Sequence, residues 1–200
     1  MQSEYFKCGD LNEKDTLIVA FSGYAHAYGL IPPFEFINFL TNNFPNADKL
    51  FYKDTYCSSY HKGIEGISNN INETTSYLKE KIKGYSMVLF TGNSGGGYGC
   101  ILFGSLLNVD YVLAFMPPTI LYLDDKDPKY KNLAPLINDT TEYFIYGNTS
   151  ITDIKNPHHI RHCDNINIKP NVNVFKIKEL SVKGLRDSGE LVNIINSILK

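Results

Sequence analysis

The segment from Tyr85 to Leu107 constrains the fold more than any other. An apolar run, Tyr85-Ser-Met-Val-Leu-Phe90, leads straight into TGNSGGGYGC at 91–100, one serine among five glycines, and Ile101, Leu102, Leu106 and Leu107 follow at helical spacing. A β-rich run, a turn freed by glycine and an apolar helix, in that order, make the repeating unit of a parallel sheet, whose neighbouring strands need crossover connections. The same alternation runs along the chain. Strands are expected at Leu17–Phe21, Leu50–Tyr52, Tyr85–Phe90, Tyr111–Phe115, Glu142–Tyr146 and Val172–Ile177. Between them lie helical stripes: Phe36, Leu40 and Phe44 behind Pro32 and Pro33; Ile64, Ile67, Ile71, Leu78 and Ile82 closed by Gly84; and Leu191, Ile194, Ile195 and Ile198. A short helix is expected at Asn156 to Cys163, and loop or short helices over Leu121 to Asp139.

Six strands separated mostly by helices predict an α/β fold, a three-layer sandwich with a mostly parallel sheet. At 200 residues and 43% hydrophobic content, residues 1–200 suit a single domain with its own core. A net charge of −2, from 19 Lys and Arg against 21 Asp and Glu, offers no basic field for nucleic acid or an anionic membrane, so neither is expected as a partner. The four cysteines, Cys8, Cys57, Cys100 and Cys163, form no CxxC pair, which argues against a disulfide scaffold or zinc ribbon and for a cytoplasmic protein with reduced thiols. No apolar run approaches the roughly 18 residues that span a bilayer.

Ser94 admits three readings. A phosphate-cradling P-loop would place Gly-Lys-Ser or Gly-Lys-Thr after the glycines, whereas Gly97 is followed by Tyr98-Gly99-Cys100. A dinucleotide fingerprint wants an acid at the end of the next strand, and Asp110 stands before that strand instead. What remains is a nucleophile on a sharp turn, or a turn kept small only for packing: Gly92-Asn93-Ser94-Gly95-Gly96 fits G-x-S-x-G between a strand and a helix.

With Phe21-Ser-Gly23 at the first strand end, Phe51-Tyr-Lys-Asp54, Tyr60-His-Lys-Gly63, Gly92 to Tyr98, and Tyr146-Gly147 followed by Asp153, the chain resembles a compact, lidless member of the α/β-hydrolase superfamily over nearly its whole length. That resemblance implies an acyl-enzyme on Ser94, with backbone amides of Gly95 and of Gly23 or Tyr24 as oxyanion donors and Asp153 as the triad acid. It implies a serine hydrolase of esterase or acyl-transfer type, acting without a cofactor on a small-molecule or glycan-linked acyl ester.

The histidine expected after the last strand is missing, since none follows His162. His158 leads as a substitute base, with His159 beside it, and His26 and His61 are further candidates for base or substrate contact. The alternative is a degenerate, non-catalytic member used for binding or assembly. His158 and His162 are spaced as half a zinc site beside Cys163, but no third ligand is evident, so no metal is expected. Cys100 reads as a small core residue. Tyr56, Tyr60 and Tyr98 would suit a sugar or polar acyl substrate if they face the site rather than the core.

Overall fold

The computed structural model describes residues 3–9, 15–24, 34–122 and 126–200. His26, Pro32 and Pro33 lie outside the described residues. All six expected strands form, and a seventh joins them: β1 (Glu4–Lys7), β2 (Thr16–Phe21), β3 (Asp48–Tyr52), β4 (Met87–Asn93), β5 (Tyr111–Phe115), β6 (Glu142–Asn148) and β7 (Val172–Ile177). Their order in the sheet is β1-β3-β2-β4-β5-β6-β7. Every neighbouring pair is parallel except β1 with β3.

β1 escapes the sequence reading because it is an edge strand of four residues with Phe6 and Lys7 exposed, which erases the apolar signal. α2 (Ile71–Ile82) begins later than the stripe from Ile64 implies. Gly63 and Gly66 take φ of 75° and 77°, which holds 63–70 in turns, and the Asn70 side chain caps the helix by accepting from the Glu73 amide. Ile64 is still fully buried, so its apolar spacing recorded packing rather than helix. Likewise α4 spans Arg161–Ile166, leaving 156–160 as turns rather than helix.

Strand alternation divides the interior into two layers. Leu17, Val19 and Phe21 of β2 face the same side as Val88 and Phe90 of β4, against α2 and α3 (Gly95–Leu107). Ile18, Ala20 and Leu89 face the other side, against α1 (Ile37–Asn43) and α6 (Glu190–Ile198), with α5 (Val182–Asp187) beside them. The sheet grows outward in opposite directions from the β2–β4 pair, so the loops leaving those two strands part and open a crevice at their carboxyl ends.

α3 packs unusually close to β2 at that crevice. A Cβ on Gly96 would stand 2.0 Å from the carbonyl oxygen of Phe21, and one on Gly92 would stand 2.2 Å from the carbonyl oxygen of Gly96. Both obstacles are backbone, so no side chain can swing aside. Gly96→Ala should therefore cost about 3 kcal/mol, visible as a lower urea midpoint, because it forces the helix off the strand; an unchanged midpoint would contradict this packing.

Candidate active site

Ser94 sits between β4 and α3 with φ 54° and ψ −122°, a backbone conformation that non-glycine residues rarely adopt and that stores roughly 1–3 kcal/mol of strain. The surroundings hold it there. Its amide donates to the Phe115 carbonyl at the end of β5 (2.9 Å), and its carbonyl accepts from the Tyr98 amide in the first turn of α3 (3.0 Å). The first amides of a helix have no acceptor within it, so Gly95 at the start of α3 presents an N–H next to the serine hydroxyl.

Among the described residues, one histidine reaches the serine. The Ser94 Oγ lies 2.7 Å from Nε2 of His158. His158 comes from the loop after β6, and its own amide donates to Oδ1 of Asn156 (2.8 Å), which fixes the turn that carries the ring. Burial holds its pKa below the usual 6.5, favouring the neutral imidazole that can accept a proton.

The other expected partners are elsewhere. Asp153 is exposed; its carboxylate accepts from the Lys155 amide (2.9 Å), and among the described residues no carboxylate bonds to the His158 ring. The expected acid is thus displaced because its turn closes on itself. His159 accepts the Arg161 amide at Nδ1 (3.1 Å) and does not meet Ser94. His61 accepts the Asp127 amide at Nδ1 (3.2 Å) and pairs through Nε2 with the Tyr98 hydroxyl (2.9 Å), which in turn donates to the Tyr130 carbonyl (2.5 Å). That chain braces α3 rather than serving Ser94. His162 is buried, accepts the Ile120 amide at Nδ1 (3.3 Å) and has its pKa pushed down to about 4 by burial. With His158 on Ser94 and His162 on Ile120, the two rings are not joined in one site, and no group of three metal-ligating side chains occurs among the described residues. Cys100 is fully buried in the core, as are Tyr60 and Tyr98, whereas Tyr56 is exposed.

Residues 22–24, just after β2, are tied down from several directions. Ser22 donates its amide to the Tyr52 carbonyl (2.9 Å), while its own carbonyl accepts the Tyr60 hydroxyl (2.9 Å). Tyr60 is held by the buried carboxylate of Asp54, which accepts the amides of Ser58 (2.8 Å) and Tyr60 (3.0 Å) and bends 57–60 through positive φ at Cys57, Ser59 and Tyr60. Ser59 Oγ meets the Tyr24 hydroxyl at 2.5 Å, and the Tyr24 ring lies over Gly95, 3.2 Å from where a Cβ would stand. Burial raises the Tyr24 phenol to about 12, so it stays protonated.

Glu35 was not anticipated. Its amide donates to Ser22 Oγ (3.0 Å), and its Oε1 stands 3.6 Å from where a Cβ on Gly23 would lie, so the carboxyl is beside Gly23, one of the expected oxyanion donors. Burial pushes the Glu35 carboxyl up to about 7, and among the described residues its buried Oε2 has no hydrogen-bond partner. The flanking Phe34 and Phe36 were the available signal: an acid between two phenylalanines belongs to an apolar surface.

No protein-family profile matches the chain, and no curated protein matches it in sequence. Solved structures do match. The capsule O-acetyltransferase of Neisseria meningitidis serogroup A, as a variant in complex with CoA, aligns with a TM-score of 0.68 over 98% of this chain and 91% of its own, at 14% identity. The fluorophosphonate-binding serine hydrolase F of Staphylococcus aureus aligns at 0.60, over 95% and 85%, with 11% identity. A lidless α/β serine hydrolase of Xanthomonas campestris aligns at 0.54, over 94% and 86%, with 7% identity. The chain has the α/β-hydrolase fold. At these identities the likeness is one of architecture, and any chemistry rests on the side chains of this chain.

Within this α/β-hydrolase fold the ring that meets Ser94 enters from the β6–β7 connection, while Lys178 to Ser181 after β7 contain no histidine. A proton NMR titration of the His158 ring should give a pKa below 6.5, with the ring neutral throughout the physiological range. A value at or above 6.5 would contradict the burial that isolates it.

Proposed function

We propose that the protein is a serine acyl hydrolase or acyltransferase that works through an acyl-enzyme on Ser94, with His158 as general base. The observation that carries this reading is the 2.7 Å contact between Ser94 Oγ and His158 Nε2, made by a serine on a strained turn at the head of a helix. A serine hydroxyl alone is a weak nucleophile, and a neutral imidazole within hydrogen-bond reach is what activates it.

In the proposed cycle, Ser94 Oγ attacks the acyl carbonyl carbon and gives its proton to His158 Nε2. The carbonyl oxygen becomes an oxyanion and is received by the Gly95 amide, with the Gly23 or Tyr24 amide as the second donor. His158 then returns the proton to the departing alkoxide, leaving the acyl group on Ser94. Water or an acceptor hydroxyl enters next, gives its proton to Nε2 and takes the acyl group, and Ser94 recovers its proton. The catalytic unit is a dyad: Asn156 sets the turn that carries the imidazole, and Asp153 takes no part.

The substrate class is a small-molecule acyl ester, free or linked to a glycan. The fold neighbours include an O-acetyltransferase and serine hydrolases, in keeping with either water or a hydroxyl acceptor in the second step. The described residues include no helix long and apolar enough to cross a membrane, which is compatible with a diffusible substrate. The second reading, binding without turnover, draws on the lack of a histidine after His162 and of a carboxylate on the His158 ring among the described residues.

A fluorophosphonate probe should label the wild type and spare Ser94→Ala. With p-nitrophenyl acetate, His158→Ala should lower kcat/KM by about a thousandfold, the scale expected for loss of a general base, while Asp153→Asn should leave it close to wild type. The acid limb of the kcat/KM profile should fall below pH 6.5, because lowering the His158 pKa keeps the base unprotonated to lower pH. Absence of labelling, or turnover that survives Ser94→Ala, would overturn the proposal and favour a binding role.

A further inference from the structure

The residue after the proposed nucleophile has no side chain, and Tyr24 fills the space one would need. A Cβ on Gly95 would stand 3.2 Å, 3.4 Å and 3.6 Å from Cε1, Cδ1 and Cζ of Tyr24, so one edge of the phenol ring lies against the main chain of Gly95. Gly95 begins α3, and its N–H is the donor proposed for the oxyanion. The ring therefore borders the place that an acyl carbonyl takes on Ser94.

That ring is anchored. Its hydroxyl pairs with Ser59 Oγ at 2.5 Å. Ser59 lies in a turn where Cys57, Ser59 and Tyr60 take φ of 48°, 55° and 61° and the buried Asp54 carboxylate accepts the amides of Ser58 and Tyr60. Tyr60 in turn donates its hydroxyl to the Ser22 carbonyl, just ahead of Tyr24 in the chain. Both the side chain and the main chain of Tyr24 are thus tied to one buried carboxylate. The residue is still 39% exposed, so it belongs to the surface around the site and not to the core.

The stereochemistry of acyl transfer assigns the flanks of Ser94. In the tetrahedral intermediate the reacting carbon carries Ser94 Oγ, the oxyanion, the leaving oxygen and the acyl substituent. The oxyanion faces the Gly95 amide, and the leaving oxygen faces His158 Nε2, which returns its proton. His158 arrives from the loop after β6 and Tyr24 from the end of β2, and these strands lie on opposite sides of β4. The acyl substituent is left with the flank away from His158, where the Tyr24 ring stands.

We infer that Tyr24 determines acyl specificity: its ring walls off the space beyond the first carbon, so Ser94 takes acetyl in preference to longer acyl groups. The inference rests on the acyl-enzyme reading. A longer chain must push the ring off Gly95 and break its bond to Ser59, and packing of this kind discriminates by about 10–200-fold for one methylene. An open site would do the reverse, because each buried CH₂ adds binding.

The test compares kcat/KM of the full chain for p-nitrophenyl acetate, butanoate and hexanoate. The wild type should favour acetate over hexanoate by more than about tenfold, and Tyr24→Ala should abolish or invert that preference. Tyr24→Phe, which keeps the ring, should stay closer to the wild type than Tyr24→Ala does. The readout is a ratio within each variant, so a general loss of rate from a disturbed loop cancels. A urea midpoint reports whether Tyr24→Ala is folded, and Tyr24→Leu takes its place if it is not. Suppose acetate turnover vanishes in Ser94→Ala, yet the wild type uses hexanoate as well as acetate, or shortening Tyr24 leaves the ratio unmoved. Either result would overturn the inference while the acyl-enzyme reading stands. No turnover of any ester would remove both.

Discussion

The backbone of Ser94 is the constraint on which the site depends. A serine at φ 54° and ψ −122° persists only where its neighbours over-determine it, and here they do so with main-chain atoms: the Phe115 carbonyl accepts its amide, and Gly92 and Gly96 let strand and helix close to distances that no Cβ would permit. The result is a hydroxyl lifted to the rim of the sheet beside Gly95, the first residue of α3. Relaxing the turn would withdraw both at once. The cost of holding it is met by the parallel sheet on either side, since β4 is central and pairs along its length with β2 and β5.

Around that turn, two loops converge from different directions. The loop after β6 brings His158 to Ser94, and the loop after β2, anchored by Tyr60 and the Asp54 carboxylate behind it, brings Tyr24 over Gly95. Burial lowers the pKa of the imidazole, and among the described residues no carboxylate bonds to it. The His158 amide bond to Asn156 fixes the turn that carries the ring. No histidine follows β7, and the α5–α6 pair after it packs on the α1 side of the sheet.

Much of this was legible in the sequence, for physical reasons that differ from residue to residue. The five inner strands, β2 to β6, declare themselves because inner parallel strands are buried on both faces and read as apolar runs, while β7 at the far edge shows through Val172, Val174 and Ile177. β1 is short and exposed at the edge, and its four residues carry no such run. Ser94 was legible because the glycines its turn needs are local. His158 was legible only as one candidate among several, since which ring meets the serine is decided by a contact across 64 positions. Asp153 stands where chain order would put an acid, yet a hydrogen bond to Lys155 two residues on turns it to solvent. Glu35 carries no motif of its own, and its burial beside Gly23 exists only once β2 and α1 are brought together.

The central claim is that Ser94 carries the acyl group, and intact-protein mass spectrometry with peptide mapping tests it most directly. Protein quenched during turnover of p-nitrophenyl acetate should carry a single acetyl group, located on the peptide containing Ser94 and lost on longer incubation. Finding no acetyl group while the ester is being consumed, or finding it on His158 or Cys57 instead, would contradict the account.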